Sequence, residues 1–251
     1  MIPGHEQPEF GSLFTGFGGL DLGLERAGWK CAWQVEINEY ARRVLTRRWP
    51  DVPKFSDVRE CGAHNLGCVP LIVGGFPCTD ISEAGYQAGI EVGEYSGLWR
   101  EQYRIIRVLR PRFVLVENVS ALLERDMRIV LGDLAEGGFD AEWESVRASD
   151  VGAPHQRERV FILAYPHGVG LQTSPILDRV ALETCRETEG ARAWCGRYCH
   201  GASGRVRLVP DDRVFGVVNG IPERMEQHRG LGNAVVPLLG EWAGRCILRH
   251  L

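Results

Sequence analysis

Lysine is almost missing from this chain. Only Lys30 and Lys54 stand among its 29 basic residues, and the rest are arginine. An overall positive charge is missing as well, since the formal net charge is −4. Bulk charge therefore does not advertise a polyanionic partner, which would have to be met by a local patch. No apolar run approaches the ~20 residues that span a bilayer, which excludes a transmembrane helix and a membrane partner. The opening stretch MIPGHEQPEFG has neither the basic nor the apolar segment of a secretory signal, and a cytoplasmic protein is expected. Regular cysteine spacing is also lacking. Eight cysteines without a repeating interval read as reduced thiols rather than as a disulfide framework. Cys185, Cys195, Cys199 and His200 lie close in sequence but lack the paired C-x2-C spacing of structural zinc sites, so no metal is expected.

What the chain has is alternation. Short apolar runs (FGSLF, KCAWQVE, PLIVGG, FVLVENV, ERVFILAY) take turns with amphipathic stretches (GGLDLGLERAGW, NEYARRVLTRRW, GLWREQYRIIRVLR, SALLERDMRIVLGDLAEGG). Strands alternating with helices predict an α/β fold with a mostly parallel sheet, and such sheets bind ligands at the carboxyl ends of their strands. The pattern fails from about residue 166, where glycine, arginine and small polar residues dominate. It resumes in NAVVPLLGEWAGRCIL, which reads as a helix with Pro237 in its first turn. The expected organisation is a large domain built from residues 1–165 and 229–251, with an irregular insert at 166–228.

Three strand exits carry chemistry. LFTGFGGLDLGL places Gly16, Gly18 and Gly19 between a strand and a helix, where small residues let a ligand approach backbone N–H groups. Glu36 ends the next strand about 20 residues on, where an acid can accept hydrogen bonds from ribose hydroxyls. Asp57 could take the amino group of an adenine. Singly, either acid could be a helix cap or a solvated charge; with the glycine turn they favour an adenosine-containing ligand. The second exit, GGFPCTDIS, puts Cys78 behind Pro77 at the end of a buried strand. A free cysteine is commonly just a small buried side chain, but here it can also be a nucleophile on a stiff turn. The third pairs Glu117 and Asn118 with Arg157 and Arg159. A carboxylate at a strand end costs desolvation unless paired, and arginines at i and i+2 of an extended segment share one face. One or both could meet Glu117, as chemistry or as a structural ion pair.

FTGFGG, GGFPCTDIS, ENV, QRERVFILA and GLGNAVVPLL occur in the order and approximate spacing of the DNA cytosine-5 methyltransferase family, which the chain resembles over residues 10–165 and 229–251. The resemblance implies a Rossmann-like, S-adenosylmethionine-dependent methyltransferase fold with a small target-recognition region. The implied enzyme flips a cytosine out of double-stranded DNA and methylates its C5. Carried over by position, Phe14, Gly16 and Gly18 would line the cofactor pocket. Glu36 would hold the ribose, and Asp57 and Val58 would meet the adenine. Pro77 and Leu98 would complete the pocket, with Asn233 and Val235 approaching from the C-terminal segment. Cys78 would add to C6 of the base, Glu117 would hydrogen-bond its N3 edge, and Arg159, supported by Arg157, would fix it.

Residues 80–97, with glycines at 85, 89, 93 and 97, read as a lid over the flipped base. Thr79 replaces a glutamine found in several family members, and His155 stands where glutamine often precedes the Arg-x-Arg pair. The insert is short for target recognition and shows no clear threonine-containing signature. Its arginines (Arg192, Arg197 and Arg205, then Arg207, Arg213 and Arg224) suit phosphate and guanine contacts. The resemblance implies a monomeric enzyme, either the protective half of a restriction–modification pair, with a cognate endonuclease as partner, or a solitary phage-type methylase. A tRNA methyltransferase of the same family usually carries Pro-Pro-Cys, against Phe76–Pro77 here. A non-catalytic DNA-binding relative would have no need of Cys78, Glu117 and Arg159 together. A nicotinamide dehydrogenase would explain the glycine turn but not the Pro-Cys pair.

Overall fold

A left-handed turn starts the first helix and another stops it. The computed structural model describes residues 6–77, 97–151, 155–168, 175–178, 198–200, 206–208 and 234–251. Strand β1 (Glu9–Leu13) ends before Gly18, whose φ of 74° opens α1 (Gly19–Ala27). Gly28, at φ 110°, closes that helix with its N–H on the Glu25 and Leu24 carbonyls. A side chain resists that conformation and glycine does not. Leu20 and Leu24 of α1 are buried, one turn apart.

The order continues through β2 (Lys30–Val35), α2 (Glu39–Arg48), β3 (Lys54–Phe55), β4 (Leu71–Gly74), α3 (Leu98–Leu109) and β5 (Phe113–Val119). Then come α4 (Leu122–Arg125), α5 (Met127–Glu136), β6 (Phe139–Arg147) and β7 (Glu158–Pro166). The pair β8 (Tyr198–His200) and β9 (Val206–Leu208) and helix α6 (Pro237–Leu248) complete the described elements. Strands β1–β7 form one sheet in the order β3-β2-β1-β4-β5-β7-β6, while β8 and β9 pair separately. All neighbours from β3 to β5 are parallel; β7 runs antiparallel between β5 and β6. The expected α/β class with a mostly parallel sheet is what the structure shows. Among the described residues no helix is long and apolar enough to cross a membrane.

Alternation along β5 explains the layers. Phe113 and Leu115 join Leu24, Leu239 and Trp242, whereas Val114 and Val116 join Trp99, Ile106 and Leu134. The strand is apolar throughout because both of its faces are covered. Trp99, Gln102, Ile105, Ile106 and Leu109 form the buried stripe of α3 at helical spacing. Leu238, Leu239, Trp242 and Ile247 of α6 are fully buried, each stabilising the fold by about 1.5–3 kcal/mol.

Two details differ from the sequence reading. The helix expected over SALLERDMRIVLGDLAEGG is two helices, broken at Asp126, which takes φ −125° and serves as the cap of both. The backbone of Asp126 joins the two, its N–H donating to the Leu122 carbonyl at 3.2 Å and its carbonyl accepting from Ile129 N–H at 3.0 Å. Strand β6 was not anticipated: FDAEWESVR carries three acids, and only Phe139 and Val146 are fully buried along it. Cys78, the stretch 80–96 of the expected lid, Asn233, Arg192, Arg197, Arg205, Arg213 and Arg224 lie outside the described residues, as does the Arg207 side chain.

Candidate active site

Strands β1, β2, β4 and β5 all end at one edge of the sheet, and β7, running the other way, begins there. The chain reverses its direction of winding between β1 and β4, where open α/β sheets form crevices. A cavity of about 700 Å3 occupies that place, within the usual range for small-ligand sites.

One end of the cavity is the turn after β1. Phe14 (φ 53°), Gly16 (φ 58°) and Gly18 (φ 74°) are all left-handed. For Phe14 that geometry is strained by an amount on the order of 1–2 kcal/mol. Thr15 N–H donates to the Val35 carbonyl (3.1 Å) and Gly18 N–H to the Thr15 carbonyl (3.0 Å). Glu36 fixes the turn from the next strand. Its Oε2 accepts from Gly16 N–H at 2.7 Å and its Oε1 from Asn38 N–H at 2.8 Å. Phe14, Gly16 and Glu36 border the cavity. Gly18 does not: a Cβ there would strike the Trp49 ring at 2.5 Å, so this glycine shapes the turn and admits Trp49.

Asp57 and Val58 border the same cavity from the turn after β3. Asp57 caps a short 3-10 turn, and the Arg59 guanidinium grips both its oxygens at 2.7 to 3.1 Å. That partner holds the Asp57 carboxyl below its ordinary range. Sequence reasoning had not paired these two, although spacing of i and i+2 across a tight turn was a usable signal.

The other end of the cavity holds the titratable groups. Glu117 of β5 is buried, and Arg159 Nε stands 2.8 Å from its Oε1. The strand register explains the meeting, because Arg159 of β7 lies opposite Val119 of β5. Burial pushes the Glu117 carboxyl above its usual range, while Arg159 and then Arg157 pull it back. Arg157 borders the cavity just before β7 begins, and burial followed by the neighbouring Arg159 lowers its affinity for protons. Burial, then Arg157 and Arg159, lower that of His155. Glycine is required under the carboxylate: a Cβ on Gly75 would lie 2.7 Å from Glu117 Oε2. Asn118 Nδ2 donates to the Phe76 carbonyl at 3.4 Å, tying the end of β5 to the residue before Pro77. Pro77 and Leu98 complete this wall.

The last wall comes from the C-terminal segment. A Cβ on Gly19 would meet the Val235 carbonyl oxygen at 2.2 Å, and one on Gly23 the Pro237 oxygen at 2.2 Å. Backbone-to-backbone contact therefore brings Val235 to the cavity. Beneath the turn lies a buried set that sequence reasoning missed: Ser12, Thr15, Asp21 and Gln34. The acid in GGLDLGL interrupts a leucine stripe, which was the only hint of it. Among the described residues no group of histidine, cysteine or acidic side chains could hold a metal.

Comparison with known proteins adds the following. The family model for C-5 cytosine-specific DNA methylase matches residues 9–189. The chain is 34% identical over 161 residues to Type II methyltransferase M2.BsuMI of Bacillus subtilis, covering 61% of this chain and 41% of that protein. It is 36% identical over 154 residues to Type II methyltransferase M.CviJI of Paramecium bursaria Chlorella virus IL3A, with 61% and 41% covered. The chain thus spans about half the length of the curated relatives it matches. In fold it is similar to the Entamoeba histolytica methyltransferase EhMeth, with a TM-score of 0.67 at 12% identity over 98% of this chain and 99% of that one.

Proposed function

Because the chain belongs to the C-5 cytosine-specific DNA methylase family, we propose that it transfers a methyl group from S-adenosylmethionine to C5 of a cytosine in double-stranded DNA. The observation that carries this reading is the meeting of two machineries in one cavity: the Glu36-clamped glycine turn and the Glu117–Arg159 pair. The Type II methyltransferases among its relatives support a modification role of the restriction–modification type, with a cognate nuclease as partner. It acts as a monomer in the cytoplasm.

The residues fit the cofactor. The glycine turn at the head of α1 offers backbone N–H groups, Glu36 accepts from ribose hydroxyls, and Asp57 with Val58 takes the adenine. Val235, Pro77 and Leu98 wall the same cavity, and Asn233 is the further cofactor residue of the C-terminal segment. S-adenosylmethionine supplies an electrophilic methyl on a sulfonium.

Pro77 borders the cavity, and Cys78 is the next residue of the chain. Cytosine C5 is a poor nucleophile, so the Cys78 thiolate adds to C6 and forms a carbon–sulfur bond. The displaced electron pair makes C5 enamine-like, and C5 takes the methyl. Loss of the C5 proton to solvent water returns the electrons, breaks the carbon–sulfur bond and restores the thiolate. A soft nucleophile that also leaves well serves both steps. Glu117 assists by hydrogen-bonding the N3 edge during the addition, and its burial raises the carboxyl's affinity for a proton. Arg159 orients both Glu117 and the base. The insert at 166–228 contacts DNA through Arg192, Arg197, Arg205, Arg207, Arg213 and Arg224.

Methyl transfer from labelled S-adenosylmethionine to mixed-sequence DNA and to tRNA, followed by bisulfite sequencing, tests the reading. Label on cytosine in DNA at a defined site is expected. Label confined to tRNA, or none on either, would overturn it.

A further inference from the structure

Asp21 is a carboxylate with no exposure at all, placed in the first turn of α1 under the glycine turn and at the cavity wall. Two close donors converge on it, with the Cys31 thiol as a third at 3.9 Å. Ser12 Oγ–H donates to Oδ1 at 2.7 Å, and Gln34 Nε2–H donates to Oδ2 at 2.7 Å. Because an ionised carboxylate only accepts, the Ser12 hydroxyl must point its proton at Asp21. That leaves the Ser12 oxygen free to accept in turn from Thr15 Oγ1, 3.1 Å away. Thr15 lies between Phe14 and Gly16, and its hydroxyl is also within reach of the Ser12 and Val35 carbonyls at 3.3 Å each. The chain of hydrogen bonds therefore has a direction, set at its buried end and delivered to the turn.

We infer that Asp21 is a positioning residue for the cofactor: its negative charge orients Ser12 and Thr15, and through them holds the backbone of the glycine turn ready to bind. The inference rests on the reading that this turn binds S-adenosylmethionine. A proton on Oδ1, or an amide NH2 at position 21 turned toward Ser12, would reverse the chain, so that Ser12 accepts and turns its own proton toward Thr15. The turn would then lose a side-chain anchor while α1 kept its packing.

The charged and titratable groups around Asp21 are few. Glu25 stands one turn along α1 and raises its proton affinity. Cys31 of β2 has its Sγ 3.9 Å from Oδ2, and burial followed by Asp21 itself pushes that thiol far up. Lys54 of β3 acts on Cys31. From α6, Glu241 is held by Arg245 at 2.7 Å. With burial the leading cause, the Asp21 carboxyl titrates at about 6, so the charge that orients the chain can be removed under mild acid.

Calorimetric titration of the full chain with S-adenosylmethionine, at about pH 7.5 and about pH 5.5, tests this with wild type, Asp21→Asn and Thr15→Val. Wild type should bind several-fold more weakly at the lower pH. Asp21→Asn should bind about tenfold more weakly at the higher pH, the scale of a lost hydrogen bond to a charged group. Its affinity should change far less with pH than that of wild type. Turnover at saturating cofactor should change much less than KM, a split that a merely structural role would not produce. Thr15→Val, which keeps shape and leaves Asp21 intact, should weaken binding and flatten the pH response in the same direction. A folded Asp21→Asn within twofold of wild type at both pH values would overturn the inference. If that variant does not fold, unchanged affinity in Thr15→Val would do so. Wild type that binds no S-adenosylmethionine at either pH would instead overturn the reading of the turn, and the inference with it.

Discussion

Arg159 Nε stands 2.8 Å from Glu117 Oε1, joining two antiparallel strands by an ion pair that is almost fully buried. Removing one partner of such a pair leaves an uncompensated charge, which typically costs about 3–5 kcal/mol. Arg159→Ala should therefore lose turnover and also lower the denaturant midpoint. Glu117→Gln should lose turnover with a smaller loss of stability, because a neutral amide replaces the buried charge. Equal midpoints for Arg159→Ala and wild type would show that the pair contributes nothing to the fold.

A trap tests Cys78 as the proposed nucleophile. Cytosine carrying fluorine at C5 should accept the methyl yet have no proton to lose, so the enzyme should stay bonded to the DNA strand. The adduct should require S-adenosylmethionine, survive denaturing electrophoresis and disappear in Cys78→Ala. Mass spectrometry placing it on Cys31, Cys195 or Cys199 would refute the assignment.

Glu36→Ala should weaken S-adenosylmethionine binding by roughly 1–3 kcal/mol, the scale of lost hydrogen bonds to a charged acceptor. The carboxylate also anchors Gly16 N–H and Asn38 N–H, so Glu36→Gln, able to accept only one of these, should fall between alanine and wild type. Calorimetry reads both. Unchanged affinity in the alanine variant would reduce Glu36 to a cap.

Stability should respond to pH through Asp21. Burial raises its folded-state pKa from 3.8 to about 6, so the folded state binds this proton more tightly than the unfolded state does. The contribution is favourable below about pH 4 and is lost as pH rises through about 6, a change of about 3 kcal/mol. Denaturant unfolding at a series of pH values should show that segment of the slope in wild type and not in Asp21→Asn.

Gly23→Ala tests the close contact of α1 with the C-terminal segment. A Cβ there would meet the Pro237 oxygen at 2.2 Å and the Glu241 nitrogen at 2.6 Å, both backbone atoms that cannot step aside. Over-packing of this kind costs about 1–3 kcal/mol, visible as a lowered thermal midpoint. Because Val235 lines the cavity, cofactor affinity should fall together with stability.

Much of this site was legible before any coordinates. Glycines between strand and helix, Glu36 at the next strand's end, and Glu117 with Arg159 at the ends of apolar runs are local signals, and a parallel sheet collects such ends at one edge. The hidden part depends on register. Asp21 meets Ser12 nine residues back and Gln34 thirteen residues on, distances fixed only when α1 docks on β1 and β2. That Arg157, Arg159 or both meet Glu117 was legible because residues i and i+2 of an extended segment share one face. The choice of Arg159 and the Asp57–Arg59 grip needed register and turn geometry. Strand β6 escaped because its acids suit a sheet edge facing water, where period-two burial fades.

Synthesis on the ribosome imposes an order on all this. Trp29 Nε1 bonds the Gly244 carbonyl 215 residues away, and Leu24 packs in one cluster with Trp242. The nascent chain therefore exposes the greasy side of α1 long before α6 emerges to cover it. At about 5–20 residues per second that interval is roughly 10–40 s. Throughout it the glycine turn has no back wall, and the leucine stripe of α1 stands uncovered.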